Sequence, residues 1–131
     1  MATANPYQQY QQQSVMTATP GELTLMLYNG CIKFIKQAKM AIENKEIEKA
    51  GSVILRAQDI VQELMITLNT DYEISDNLYA LYDYMYRRLI DANISKDIAP
   101  LDETLDLMTD LRDTWTQVIK INRKEIYGDR G

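Results

Sequence analysis

The chain of 131 residues contains no histidine and a single cysteine, Cys31. Without histidine, three kinds of site cannot be assembled: a Ser-His-Asp nucleophile set, a His-bearing zinc site, and the Glu plus Glu-x-x-His ligands of di-iron bundles. A lone cysteine forms no disulfide within the chain, which points to a reducing compartment. With no imidazole to lower its pKa, Cys31 is a poor nucleophile and reads as a small buried residue. Positive charge is also short. A net charge of −5 and a pI near 4.7 leave no basic surplus for a nucleic-acid partner. Unbroken apolar runs, such as LMLY at 25–28, fall far below the ~20 residues a membrane-spanning helix needs, so no membrane insertion is expected. Residues 1–5 carry no lysine or arginine and no apolar h-region follows, so no secretory leader is expected and the cytoplasm is the expected compartment. Thr19-Pro20-Gly21-Glu22 lacks the glycine spacing and the lysine of a phosphate loop. No inward carboxylate pair stands out either. No catalytic residue, cofactor or metal is therefore expected.

Charge is missing locally too. Not one charged side chain precedes Glu22, and five of the seven residues from 8 to 14 are glutamine. Residues 1–18 read as an N-terminal arm with little apolar surface to offset chain entropy. Tyr7 and Tyr10, three apart behind Asn5 and Pro6, can share one side of a short helical turn. Two readings stand for this arm: a disordered leader, or a segment that docks loosely on the rest of the chain and leaves it.

The remainder reads as four helices. Thr19-Pro20-Gly21-Glu22 starts the first, with Thr19 as cap, Pro20 needing no amide partner and Glu22 reaching back. Helix 1 is expected to run to about Glu43 and to bury Leu23, Met26, Leu27, Phe34, Ala38 and Ala41, with Ile35 and Ile42 beside them. Gly30 allows a neighbouring helix to approach closely. Asn44-Lys45 is a short link, so helix 2 should return antiparallel. There Ile47, Ala50, Ile54, Ala57, Val61, Leu64 and Leu68 recur in steps of three and four, a heptad seam. Beside the seam runs an uncharged strip of Gly51, Leu55, Gln58, Gln62, Met65, Ile66 and Asn69. It is either a solvated face or a neutral groove for a partner helix.

Helix 3, residues 78–93 behind a Ser75 cap, is the most aromatic stretch. Leu78, Leu81, Tyr82, Met85, Leu89 and Ala92 share a face at 100° per residue, and Tyr79, Tyr86 and Ile90 form a shoulder beside it. That apolar arc is wider than the roughly 100° an ordinary surface helix needs, so the shoulder is either core or a surface for another polypeptide. Arg87-Arg88 has the chemistry to grip a phosphate, but Asp83 and Asp91 beside it point to local pairing. Helix 4, capped by Asp97 and tolerating Pro100 in its first turn, is expected to end near Lys124. It should bury Leu101, Leu105, Met108, Leu111, Trp115, Val118 and Ile119, with Asp102, Asp106, Asp110 and Asp113 as a wet ridge. The expected fold is all-α: an antiparallel up-down four-helix bundle over residues 19–125, with an N-terminal arm and a frayed tail at 126–131.

Leu81-Tyr82-Asp83-Tyr84-Met85-x-Arg87-Arg88-Leu89-x-x-Ala92-Asn93, with Thr17-Ala18-Thr19-Pro20-Gly21-Glu22-Leu23 and Trp115, resembles the FliS family of flagellar secretion chaperones. The likeness extends over residues 5–124, and the GELTLMLYNG run at 21–30 is similar to members from Bacillus-like bacteria. The resemblance implies a chaperone that holds the disordered C-terminal segment of flagellin, prevents premature polymerisation and brings it to the cytoplasmic domain of the export gate. It also implies that the client displaces the arm, and that Tyr7 and Tyr10 match positions linked to gate recognition. Some members carry an aliphatic residue where Tyr7 stands. The candidate partner-binding residues are Tyr7, Tyr10, Leu55, Gln58, Gln62, Met65, Ile66, Tyr79, Tyr82 and Tyr86. The alternative from another class is a structural bundle that uses its wide apolar arc to self-associate as a homodimer.

Overall fold

The computed structural model describes residues 18–69, 71 and 73–128, with side chains described as far as Asn122. Its elements are α1 (Pro20–Glu43), α2 (Ile47–Thr67), α3 (Ile74–Ser95) and α4 (Ile98–Gly128). The described residues include no strand. No helix among them is long and apolar enough to cross a membrane.

Local chemistry sets the ends. Thr19 is the N-cap of α1, its Oγ1 accepting from the Glu22 amide at 3.2 Å, and Pro20 fills the first turn, where no amide partner is needed. At the other end the chain reverses in three residues. Lys45 takes a left-handed φ of 61°, which lets the Glu46 amide reach back to the Ala41 carbonyl at 2.8 Å. Lys96 does the same after α3, with φ 54° and its amide on the Ala92 carbonyl at 2.7 Å. Both tight turns lie at one end of the bundle. Ser75 does not cap α3: the helix begins one residue earlier, and the Ser75 hydroxyl donates back to the Asn69 carbonyl, closing the α2–α3 link. α4 runs past the expected end at Lys124 because no proline or glycine interrupts it before Gly128.

Each helix packs on two neighbours, in the ring α1–α2–α3–α4 and back to α1. Cross-helix contacts give the directions. Gly21 meets Trp115 while Lys39 pairs with Asp102, so α1 and α4 run opposite ways. Cys31 Sγ lies 3.9 Å from the Ala57 carbonyl, and a Cβ at Gly30 would stand 3.3 Å from Ile60 Cδ1, so α1 and α2 are also antiparallel and closely apposed. Gly51 beside Asn93, and Gln62 bonded to Tyr86, set the same relation for α2 and α3. The fold is a four-helix bundle.

The core is built on Ile35, Ile54, Val61, Tyr82, Met85, Leu89, Leu101 and Met108, all at most 1% exposed. The α2 seam is largely as the heptad spacing predicts, although its first member, Ile47, is exposed. The α1 stripe is rotated from the expected one. Tyr28, Cys31, Ile32, Ile35, Ala38 and Ala41 are buried, Leu27 and Phe34 only partly, and Met26 is exposed. Leu25, Met26, Leu27 and Tyr28 are consecutive and spread over the whole circumference of α1, so its apolar arc is broad, and spacing alone does not locate the centre of a broad arc. On α4, Thr104 joins the core by returning its hydroxyl to the Pro100 carbonyl at 2.8 Å, and Leu105, Leu111, Trp115, Val118 and Ile119 are half-buried.

Candidate functional site

Two surfaces with apolar character stand out among the described residues. The first is the outer face of α2 and α3. Gln62 Nε2 donates to the Tyr86 hydroxyl at 3.1 Å, which joins the uncharged strip of α2 to the tyrosine shoulder of α3. Along this face Leu55 is 53% exposed, Ile66 78% and Tyr79 47%, while Met65 and Tyr86 are half-buried against the core. Three large apolar side chains therefore remain uncovered where the sequence places the groove. Arg87 and Arg88 are engaged locally, at 3.1 Å from Asp83 and 3.2 Å from Asp91, and Arg88 also reaches Glu103 at 3.3 Å.

Two predicted groove residues do not belong to that face. Gln58 is packed into the bundle, with its Oε1 finding no hydrogen-bond partner among the described residues. Tyr82 is 1% exposed. On α3 it lies between Leu78 and Met85 on the inward side, so its ring serves the core. The Tyr7 and Tyr10 predictions lie outside the described residues.

The second surface is formed by residues far apart in the chain. At the end of the bundle opposite the tight turns, all four helices border a cleft of about 450 Å³, within the roughly 300–1,000 Å³ range of ligand sites. Leu64 and Leu68 come from the end of α2, Ile74 and Leu78 from the start of α3, Pro20 and Gly21 from the start of α1, and Trp115 from α4. The described lining residues include no charged side chain, although a quarter of the chain is charged. Trp115 is fixed by its indole N–H, which donates to the Gly21 carbonyl at 2.8 Å.

The floor of the cleft is a tyrosine pair. Tyr28 and Tyr82 bring their hydroxyls to 2.5 Å, with ring centroids 6.4 Å apart and planes tilted by 53°. Burial pushes both phenols above their ordinary pKa; at Tyr82 the bond to Tyr28 adds to the rise, and at Tyr28 the bond to Tyr82 opposes it. Both stay protonated at neutral pH. Tyr82 therefore belongs to the floor of this cleft, not to the α2–α3 face. The sequence signal for the cleft was the aromatic set at 28, 82 and 115, which is far apart in the chain and gathers only when the four helices close. Cys31, one turn from Tyr28, is fully buried and its thiol is pushed up to about 12 by burial, which makes it inert.

A family model described as "Flagellar protein FliS" matches residues 3–122. The chain belongs to the FliS family. The flagellar secretion chaperone FliS of Bacillus subtilis (strain 168) is 54% identical over 131 residues, covering all of this chain and 98% of that protein. The FliS chaperone of Salmonella typhimurium is 32% identical over 125 residues, with 90% and 93% of the two chains covered. Among solved structures, one titled "Crystal structure of flagellar chaperone from bacteria" superposes with a TM-score of 0.74 over 88% of this chain and 98% of its own. At 21% identity it speaks for the bundle alone. FliS is a family of chaperones, not of enzymes.

Proposed function

We propose that the chain is a cytoplasmic export chaperone that binds the C-terminal helical segment of newly made flagellin. It keeps that segment from polymerising and delivers it to the cytoplasmic domain of the flagellar export gate. The observation that carries the reading is the cleft shared by all four helices, whose described lining carries no charge and which lies beside the start of α1. An amphipathic segment that would otherwise polymerise through its apolar side needs a preformed apolar surface that the bundle's own core does not use. The cleft and the exposed Leu55, Ile66 and Tyr79 supply it.

In this reading residues 1–17 cover the surface in the absence of a client, and Tyr7 and Tyr10 signal to the export gate once released. Covering with two tyrosines is worth only a few kcal/mol at about 25 cal/mol per Å², less ordering entropy. A client burying more than about 1,000 Å² outcompetes it even after folding on binding. Calorimetric titration of the full chain with a flagellin C-terminal peptide tests the proposal, together with limited proteolysis of residues 1–17. Saturable binding at one peptide per chain, with faster cleavage of the arm, supports it. Absence of binding sinks it, and a stable dimer indifferent to flagellin favours self-association instead.

A further inference from the structure

The lining of the cleft has a simple hydrogen-bond account. Thr24 gives its hydroxyl proton to the Pro20 carbonyl at 3.1 Å, Thr67 to Glu63 at 2.8 Å, and Ser75 to Asn69. The Trp115 indole is spent on Gly21 at 2.8 Å. The amides of Asn69 and Asn122 are at the exposed rim. Tyr28 and Tyr82 are different. Each is at most 2% exposed, each carries one hydroxyl proton, and the two oxygens share a single contact at 2.5 Å. One proton makes that bond. The other finds no acceptor among the described residues, where neither tyrosine makes a further hydrogen bond. Both rings border the open cleft, and their other surroundings are the apolar core.

A buried donor without an acceptor is unfavourable, and more so once an occupant has driven solvent out of the cleft. An occupant offering only hydrocarbon seals that proton in. One that places a neutral oxygen over the pair satisfies it. A carboxylate gains less, since it must lose its own hydration against a described lining that carries no cation.

We propose that the paired hydroxyls of Tyr28 and Tyr82 are the specificity determinant of the cleft: they donate one hydrogen bond to a side-chain carboxamide or main-chain carbonyl oxygen of the client segment that fills it. This rests on the functional reading above, and it adds a polar requirement to an otherwise greasy fit. Few, well-placed polar groups in an apolar pocket set orientation in this way.

The test is calorimetric titration of the full chain and its Tyr28→Phe, Tyr82→Phe and doubly substituted forms with a flagellin C-terminal peptide, alongside thermal melts. The double variant should bind roughly tenfold to hundredfold more weakly, and each single variant should lose less than the double. The melts should run the other way. Each single variant strands one buried hydroxyl and melts lower than the double, which strands none. Equal peptide affinity of the double variant and the unsubstituted chain overturns the inference while leaving the client reading in place. Failure of the unsubstituted chain to bind the peptide overturns the client reading itself. Should the double variant not fold, unsubstituted protein and peptides with single Gln→Met or Asn→Leu replacements carry the test. One such replacement should reproduce the loss, and an affinity indifferent to all of them, and to main-chain ester substitution, overturns it. Unchanged client affinity together with weaker hydrogen-exchange protection of residues 8–13 in the double variant also overturns it, in favour of the chain's own glutamines as acceptors.

Discussion

Ile66→Arg separates folding from client binding more cleanly than any other single change. Ile66 sits near the end of α2 with 78% of its surface open to water, so the bundle buries only about a fifth of it. Full burial of an isoleucine is worth about 1.5–3 kcal/mol, so the folded chain stands to lose roughly 0.5 kcal/mol on substitution. Arginine is also a good helix former, which keeps the change within the ±0.5 kcal/mol or so usual for exposed sites. A client helix covering the remaining surface gains about 2 kcal/mol from the isoleucine, or about thirtyfold in affinity. Placing a guanidinium under an apolar helix adds its desolvation, and the combined loss should exceed about a hundredfold. Calorimetric titration with a flagellin C-terminal peptide, beside urea melts of both proteins, reads the two quantities separately. Binding retained within a few-fold, with the melts superimposed, refutes the assignment of the α2–α3 face to the client.

Other consequences follow from burial. Leu64, 2% exposed at the wall of the cleft, should cost about 2–5 kcal/mol of stability as alanine, read from the urea midpoint. The buried Cys31 thiol is raised from 9.0 to about 12, so the native state holds a proton that the unfolded chain gives up. Its contribution is fully present below pH 9 and is lost as pH rises toward 12, by about 1.4 kcal/mol per pH unit. Tyr28 and Tyr82, also raised, add a loss of the same sign above pH 10. Cys31→Ala should flatten the stability profile between pH 9 and 10, and an unchanged slope there contradicts the burial account. The Lys39–Asp102 pair joins two partly exposed side chains, so Asp102→Asn should move stability by less than about 1 kcal/mol at physiological salt.

Helix number, order and approximate limits were legible because each depends on local signals: the Thr19-Pro20 start, the Asn44-Lys45 link, the Asp97 cap, and the heptad seam of α2. Spacing also placed Leu89, Met85 and Ala92 inward on α3, where the apolar arc has a clear centre. It failed on α1, where the consecutive apolar residues 25–28 spread around the helix and leave the midpoint of the arc open. The α2–α3 face followed from charge depletion on one strip, and Leu55, Ile66 and Tyr79 are indeed exposed there. The cleft did not follow. Its aromatic residues stand at 28, 82 and 115 and share no periodicity, so only the closed ring of helices brings them together. Spacing puts Tyr82 on the face of Met85 and Leu89, where the structure buries it, so only its place among the groove residues of the α2–α3 face fails.

The central claim is that the uncharged cleft receives the client. The chain has one tryptophan, and it stands in the wall of that cleft, so Trp115 emission reports occupancy directly. Titration of the full chain with a flagellin C-terminal peptide should shift the emission to shorter wavelength, saturating at one peptide per chain in step with the calorimetric isotherm. Calorimetric binding that leaves the emission of Trp115 unmoved contradicts the claim.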